Sequence, residues 1–394
     1  MAKKIVLAYS GGLDTTYCIK YLQNEHDYEV HAALVNTGGF TPAELSLIEE
    51  KAKSLGAKSF TLLDRVHNYY DKIIRYLIFG NVLKNNTYPL SVSAERTIQA
   101  VAIAEFAKEI GAGAIAHGST GAGNDQVRFD LVFQTLAPEL KIITPIRDQK
   151  LSREFEINYL KEAGVDMNWE KGKYSINKGL WGTSVGGAET LTSSEALPED
   201  AWPSQLTQSG STTVQIEFAK GEPVALNGQK DNPVEVIEKL KAIGSSYAIG
   251  RDVHVGDTVI GIKGRVGFEA PAALMLIKAH HALEKHVLSK WQQHWKEQLA
   301  GWYGMLLHEA QYLDPVMRNI ETFLADTQTY VTGKVTLYLA PYRFIVVGIE
   351  SDYDIMQVDG GTYGEMNNAW TGDDVKGFTT ILANSLKLFK AKQS

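Results

Sequence analysis

Two stretches of this sequence place chemistry-bearing residues at a spacing that means something. The first is Ser10-Gly11-Gly12-Leu13-Asp14-Thr15-Thr16, which follows the β-branched run Ile5-Val6-Leu7 and precedes an amphipathic segment. Glycines allow the backbone to turn sharply and approach a ligand closely, so several N–H groups can face one concavity. Ser10, Thr15 and Thr16 add hydroxyl donors, and a helix starting near Asp14 adds the positive end of its dipole. A pyrophosphate group suits such a cradle. The loop has neither the lysine nor the spacing of G-x-x-x-x-G-K-[ST], and it is not G-x-G-x-x-G.

The second stretch is AHGSTGAGNDQVRFD, residues 116–130, also behind an apolar run. Such a density of hydroxyl, amide, carboxylate and guanidinium groups is hard to explain by packing. Asn124, Asp125 and Arg128 together suit an amino acid, with an acceptor for its ammonium and a guanidinium fork for its carboxylate. A third segment, TYPLSVSAER (87–96), taken alone reads only as a helix start with an N-cap. His280, His281, His286, His294 and His308 lack a carboxylate pattern that would make a metal centre. They read as solvated or core-satisfied, so no metal site of protein ligands is expected. The tryptophans read as core or interface, and the single cysteine, Cys18, as a small hydrophobe.

The elements that must position these groups follow from periodicity. Apolar runs at 4–9, 30–35, 59–63, 114–118 and 141–146 have the length and β-branching of buried strands, and helical patterns lie between them. This alternation predicts an α/β fold with a doubly wound parallel sheet over residues 1–166. Ligands bind beyond the carboxyl ends of such strands, so the loops after residues 9, 35 and 118 should converge. From about 165 the texture changes. Residues 171–213 are rich in Gly, Ser, Thr and Trp and read as ordered loop, with two hairpins and a long helical stretch, broken near Gly301 and Gly304, farther on. The expected division is 1–166, 167–370 as a second α+β domain, and 371–394 as a C-terminal helix. That helix places Val375, Phe378, Leu382, Leu386 and Phe389 on one face, which implies oligomerisation.

Composition bounds the class. The chain has 394 residues, 44% hydrophobic and 22% charged, with a net charge of -7. The acidic balance argues against a general nucleic-acid binder. No apolar run spans a bilayer, and Met1-Ala2-Lys3-Lys4 leads into a strand without a signal peptide, so a cytoplasmic protein with no membrane partner is expected.

Taken together, AYSGGLDTT, YPLSVSAER, AHGSTGAGNDQVRF and LAPELKIITPIRD resemble the argininosuccinate synthase family of N-type ATP pyrophosphatases. The resemblance is dense over residues 4–150, thinner through Ser175 and Ser184, and diffuse after 200. It implies a two-step reaction with ATP and Mg²⁺. The citrulline ureido oxygen attacks the α-phosphate to give citrullyl-adenylate and pyrophosphate, and the aspartate amine then displaces AMP. Carried over by position, Ala8, Tyr9, Ser10, Gly11, Gly12, Leu13, Asp14, Thr15, Thr16, Val35, His117 and Gly118 would hold ATP. Thr120, Asn124 and Asp125 would hold aspartate. Tyr88, Ser93, Asn124, Arg128, Ser175 and Ser184 would hold citrulline. Asp14, Arg96 and Asp125 form the implied catalytic set, and a homotetramer is the implied assembly.

Three departures from the family pattern stand out. Ala122 replaces a frequent lysine, while Gly256 and Phe268 stand where a glutamate and a tyrosine commonly face citrulline. Either Asp257, Glu269 or another residue compensates, or the substrate amine carries an acyl group and Gly256 provides room for it. Rival readings fare worse. Thiolation of tRNA wants catalytic cysteines and a basic face, and amidotransferases want a glutaminase module with a cysteine nucleophile. A non-catalytic nucleotide-binding relative is the remaining alternative, supported only by the three departures.

Overall fold

The computed structural model describes residues 3–169, 172–358, 363–364 and 369–393. Met1 and Ala2 of the expected first strand lead, and Ser394 of the terminal helix, lie outside them. Five parallel strands form the first sheet: β1 (Lys3–Ala8), β2 (Tyr28–Asn36), β3 (Ser59–Asp64), β4 (Ala114–His117) and β5 (Lys141–Ile143). Their order is β3-β2-β1-β4-β5, so β1 and β4 are central neighbours, and Ala8 pairs with His117. Side chains alternate across β1: Ile5 and Leu7 enter one apolar cluster, and Val6 enters the cluster on the opposite face. Helices Leu13–Asn24 and Arg153–Glu162 cover the first face, and Glu95–Glu109 and Asp125–Leu136 the second. This is the doubly wound arrangement expected. The fifth strand is shorter than its apolar run because Pro145 opens a helical turn, Pro145–Asp148.

The rest of the chain builds two antiparallel sheets. The first contains β6 (Ser175–Gly179), β7 (Gly182–Gly186), β11 (Arg251–Asp257) and β12 (Lys263–Glu269) in the order β11-β12-β7-β6. The second contains β8 (Thr212–Ala219), β9 (Glu222–Leu226), β10 (Gln229–Lys230), β13 (Gly333–Ala340) and β14 (Arg343–Glu350) in the order β10-β9-β8-β13-β14. A large core containing Trp181, Phe218, Phe268, Leu276 and Tyr303 packs these sheets against helices Pro233–Ser246, Pro271–Val287 and Lys290–His308.

Two expectations are corrected. The segment read as loop contains the β6–β7 hairpin, whose strands carry glycine, serine and threonine; β7 is held by pairing to β12, and β6 by pairing to β7, rather than by their own propensity. The long helical stretch breaks at Leu288–Ser289 rather than at its glycines. Ser289 and Gln292 form a reciprocal capping box there, while Gly301 and Gly304 lie inside the second helix. Gly304 has a packing reason: a side chain there would run into Val82.

The terminal segment forms helices Gly372–Leu382 and Asn384–Ala391, with Val375, Phe378, Leu382, Leu386 and Phe389 all exposed. Among the described residues no helix is long and apolar enough to cross a membrane.

Candidate active site

The carboxyl ends of β1, β2 and β4 open into one cavity of about 1020 Å³, completed by residues of the β6 strand. The loop after β1 forms its floor. Gly11 has φ +77°, and Gly12 N–H faces the Ser10 hydroxyl at 3.4 Å. The Ser10 and Thr15 hydroxyls lie 3.2 Å apart. Lys51 braces the loop from behind by donating to the Gly11 carbonyl at 2.7 Å. Burial pulls the Lys51 ammonium below its ordinary range. Behind the wall, in helix Arg153–Glu162, burial pushes Glu156 up to about 8, with the neighbouring Asp14 carboxylate adding to the effect. Burial likewise raises Asp14, against the opposing pull of the Glu156 hydrogen bond and the Arg153 charge.

The loop after β4 and the start of helix Glu95–Glu109 supply an interlocked set of charges. Arg96 Nε donates to Asp125 Oδ2 at 3.0 Å, and Arg128 Nη1 donates to Asp125 Oδ1 at 3.2 Å. Burial alone would raise the Asp125 carboxyl, but the two guanidiniums hold it below the usual carboxylate range. Arg128 is buried. Its Nε and Nη2 both donate to the carbonyl of His308, so the fork expected to be open is largely engaged by protein. His117 bonds Asp130 at 2.9 Å, which in turn accepts from Arg147 at 2.6 Å, and this chain supports the base of the loop.

Of the residues singled out from sequence, Ala8, Tyr9, Ser10, Gly12, Leu13, Asp14, Thr15, Val35, Arg96, His117, Gly118, Thr120, Asn124, Asp125, Arg128 and Ser175 line this cavity. Gly11 and Thr16 sit behind the lining, shaping the turn and its packing. Tyr88, Ser93 and Ser184 are buried beside the cavity rather than in its wall. Tyr88 lies within electrostatic reach of both Arg96 and Arg128. The Ser93 hydroxyl is buried with no partner among the described residues. Asn124 Oδ1 accepts from Val259 N–H at 2.8 Å, tying the loop to the β11–β12 turn.

The departures become legible in three dimensions. Phe268 is fully buried, packs against Tyr88 at 5.3 Å, and pairs across strands with Ser184. The space beside Gly256 is not open: a Cβ there would meet His254 Nε2 at 2.6 Å, and the His254 ring stacks on Tyr88 at 5.0 Å. Neither proposed compensator faces the site. Asp257 is exposed and paired with Lys263, while Glu269 is buried against Ser204 and Arg251. Ala122 is solvent-exposed.

Sequence reasoning missed several lining residues: Glu95, Gln99, Arg153, Asn177 and Lys178. Glu95 was adjacent to Arg96 and could have been suspected. The His308 carbonyl left no signal, because a main-chain acceptor far along the chain has no side-chain signature. The five histidines of the helical region have separate surroundings, with His281 beside Glu297, His286 beside Asp354 and His308 beside Glu309. His280, for example, is buried between Asn81 and Gln328. No group of three or more His, Cys, Asp or Glu side chains surrounds a common metal position among the described residues.

Comparison with known proteins identifies the family. Residues 4–166 match the family described as arginosuccinate synthase N-terminal HUP domain, and residues 174–389 match arginosuccinate synthase C-terminal domain. The chain is similar to the argininosuccinate synthase of Methanocaldococcus jannaschii, at 40% identity over 90% of each chain. It is 37% identical to that of Dictyoglomus thermophilum, covering 99% of this chain and 98% of the relative. The Xanthomonas campestris pv. campestris protein of the same name is 37% identical over 98% of each chain.

Proposed function

The chain belongs to the argininosuccinate synthase family, ATP-using ligases of arginine biosynthesis, and we propose from that premise how its residues divide the work. The reading rests on one observation above all: a pyrophosphate-type loop and the Arg96–Asp125–Arg128 set open into the same cavity from adjacent strands. The loop from Ser10 to Thr16 receives the β- and γ-phosphates. Its N–H groups and hydroxyls stabilise the charge that grows on pyrophosphate as the citrulline ureido oxygen attacks the α-phosphate. Val35, His117 and Gly118 form the wall for the rest of the nucleotide.

Thr120, Asn124 and Asp125 hold aspartate, and Asp125, kept ionised by its two arginines, offers a fixed anion toward the incoming amine. Citrulline lies against Asn124, Arg128 and Ser175, which line the cavity, with Tyr88, Ser93 and Ser184 buried behind that wall. Positioning supplies most of the rate, since a neutral amine needs only alignment to displace AMP. Mg²⁺ would be held as a phosphate-bound ion beside Asp14, whose carboxyl lines the cavity at the phosphate loop. It would supply charge neutralisation on the phosphates.

Free citrulline is the substrate this pocket favours, because His254 fills the space beside Gly256 that an acyl group would need. Further parts of the reading are a cytoplasmic enzyme and a homotetramer in which the exposed apolar face of the terminal helices docks on a neighbouring copy. The test is pyrophosphate release from ATP with Mg²⁺ and aspartate, offering free citrulline in one reaction and N-acylated citrulline in another. Release with free citrulline alone supports the reading. Release only with the acylated compound reassigns the substrate, and ATP binding without release in either reaction leaves a nucleotide-binding relative.

A further inference from the structure

Beneath Arg96 lies a carboxylate that the proposed reaction has not yet used. Glu95 opens the helix Glu95–Glu109, lines the cavity, and is 1% exposed. Its Oε1 accepts from Arg96 Nη1 at 2.9 Å, and its Oε2 accepts from the Thr37 hydroxyl at 3.1 Å. Gln99 closes the circuit, donating to Thr37 Oγ1 at 3.0 Å and accepting from Arg96 Nη1 at 2.9 Å. The carboxylate occupies space that only a glycine leaves, since a side chain at Gly179 in β6 would overlap Glu95 Oε2. That same glycine is held from the other side, where Lys241 Nζ donates to its carbonyl at 3.1 Å.

The effect on Arg96 can be counted. A guanidinium has five N–H donors. Four are taken by Asp125, Glu95, Gln99 and Asn177, which leaves one on Nη2 for a substrate.

We propose that Glu95 is a positioning residue of the ligase reaction: seated in the space left by Gly179 and tied to Thr37, it fixes Arg96 so that its remaining N–H points at the reacting groups. This rests on the functional reading above. The charges facing Glu95 come from several elements: Arg96 on its own helix, Asp125 at the start of the next, Lys241 from helix Pro233–Ser246, and the buried Tyr69 phenol. Burial dominates and pushes Glu95 up to about 7, with Arg96 and the Thr37 hydrogen bond opposing it. Protonation removes the anion that holds Arg96, so turnover should fall as the pH drops through that value.

The experiment measures kcat and KM by pyrophosphate release from about pH 5.5 to about pH 9 for the wild type, Glu95→Gln and Thr37→Val. The expected result is a wild-type acid limb near the Glu95 value. Glu95→Gln should lose at least about tenfold in kcat above that limb and should flatten it, with KM for ATP within about twofold. Thr37→Val keeps the carboxylate but removes a donor to its charged form, so its acid limb should move to higher pH. Wild-type kcat and an unaltered limb in Glu95→Gln overturn the proposal. If that variant does not fold, an unmoved limb in Thr37→Val overturns it and a raised one supports it. An inactive wild type would instead refute the ligase reading itself.

Discussion

Replacing Gly38 with alanine should separate substrate alignment from nucleotide binding. Gly38 sits just past β2, where the loop meets the β6–β7 hairpin that carries Ser175, Asn177 and Ser184. Its φ is +91°, a region that costs an L-residue about 1–2 kcal/mol. A Cβ there would lie 2.8 Å from Leu180 Cβ and 3.0 Å from Leu180 Cα and N, and main chain cannot swing aside like a side-chain tip. Crowding of that kind typically adds about 1–3 kcal/mol. The opposing tie is modest, with Leu180 N–H donating to the Thr37 carbonyl at 3.2 Å, so the hairpin should give way first. A total of about 2–5 kcal/mol lowers the aligned population by about 30-fold or more. Gly38 does not line the cavity, and the phosphate loop is untouched. Steady-state pyrophosphate release should therefore show kcat/KM for citrulline down by at least about 30-fold, while ATP affinity by calorimetry changes less than about threefold. A Gly38→Ala enzyme with wild-type kcat/KM for citrulline would refute the claim that this junction aligns the site.

Other substitutions probe separate parts of the molecule. Ser10→Ala removes the hydroxyl facing Gly12 N–H and should weaken ATP binding by about fivefold, or about 1 kcal/mol, by calorimetry; unchanged affinity would take Ser10 out of the cradle. Glu156 is raised from 4.5 in an unfolded chain to about 8 in the fold, so its contribution to stability is present below the lower value and lost as pH rises through the higher. Melting curves of the wild type should therefore fall from about pH 5 to about pH 9 relative to Glu156→Gln, and parallel curves would remove the carboxyl pair as their cause. Lys296→Met leaves the buried Glu284 without its ion pair at 2.7 Å and the Phe79 carbonyl without a donor at 2.8 Å. Urea unfolding should lose about 3–5 kcal/mol, and a loss under about 1 kcal/mol would mean that Asn81 and Gln328 suffice to hold Glu284.

The sequence by itself determined the parallel sheet and where its ligand loops converge. Ile5, Val6 and Leu7 face both sides of a sheet covered by helices, and an apolar run buried on both faces is recognisable without any knowledge of its partners. It also contained the loop chemistry of Ser10–Thr16 and Asn124–Arg128, because those groups are neighbours along the chain. The helix break at Ser289 was equally local, written in Ser289 and Gln292, although the glycines nearby drew the reading away from it.

What only the tertiary structure decided involves partners distant in sequence. The β6–β7 hairpin has weak strand propensity and exists because β12 pairs with it. The engagement of Arg128 depends on a His308 carbonyl, and the seat of Glu95 on the missing side chain of Gly179. The fate of the room beside Gly256 was decided by the His254 ring. Local pattern records which groups a chain owns; burial and long-range contact determine which of them remain free to meet a substrate.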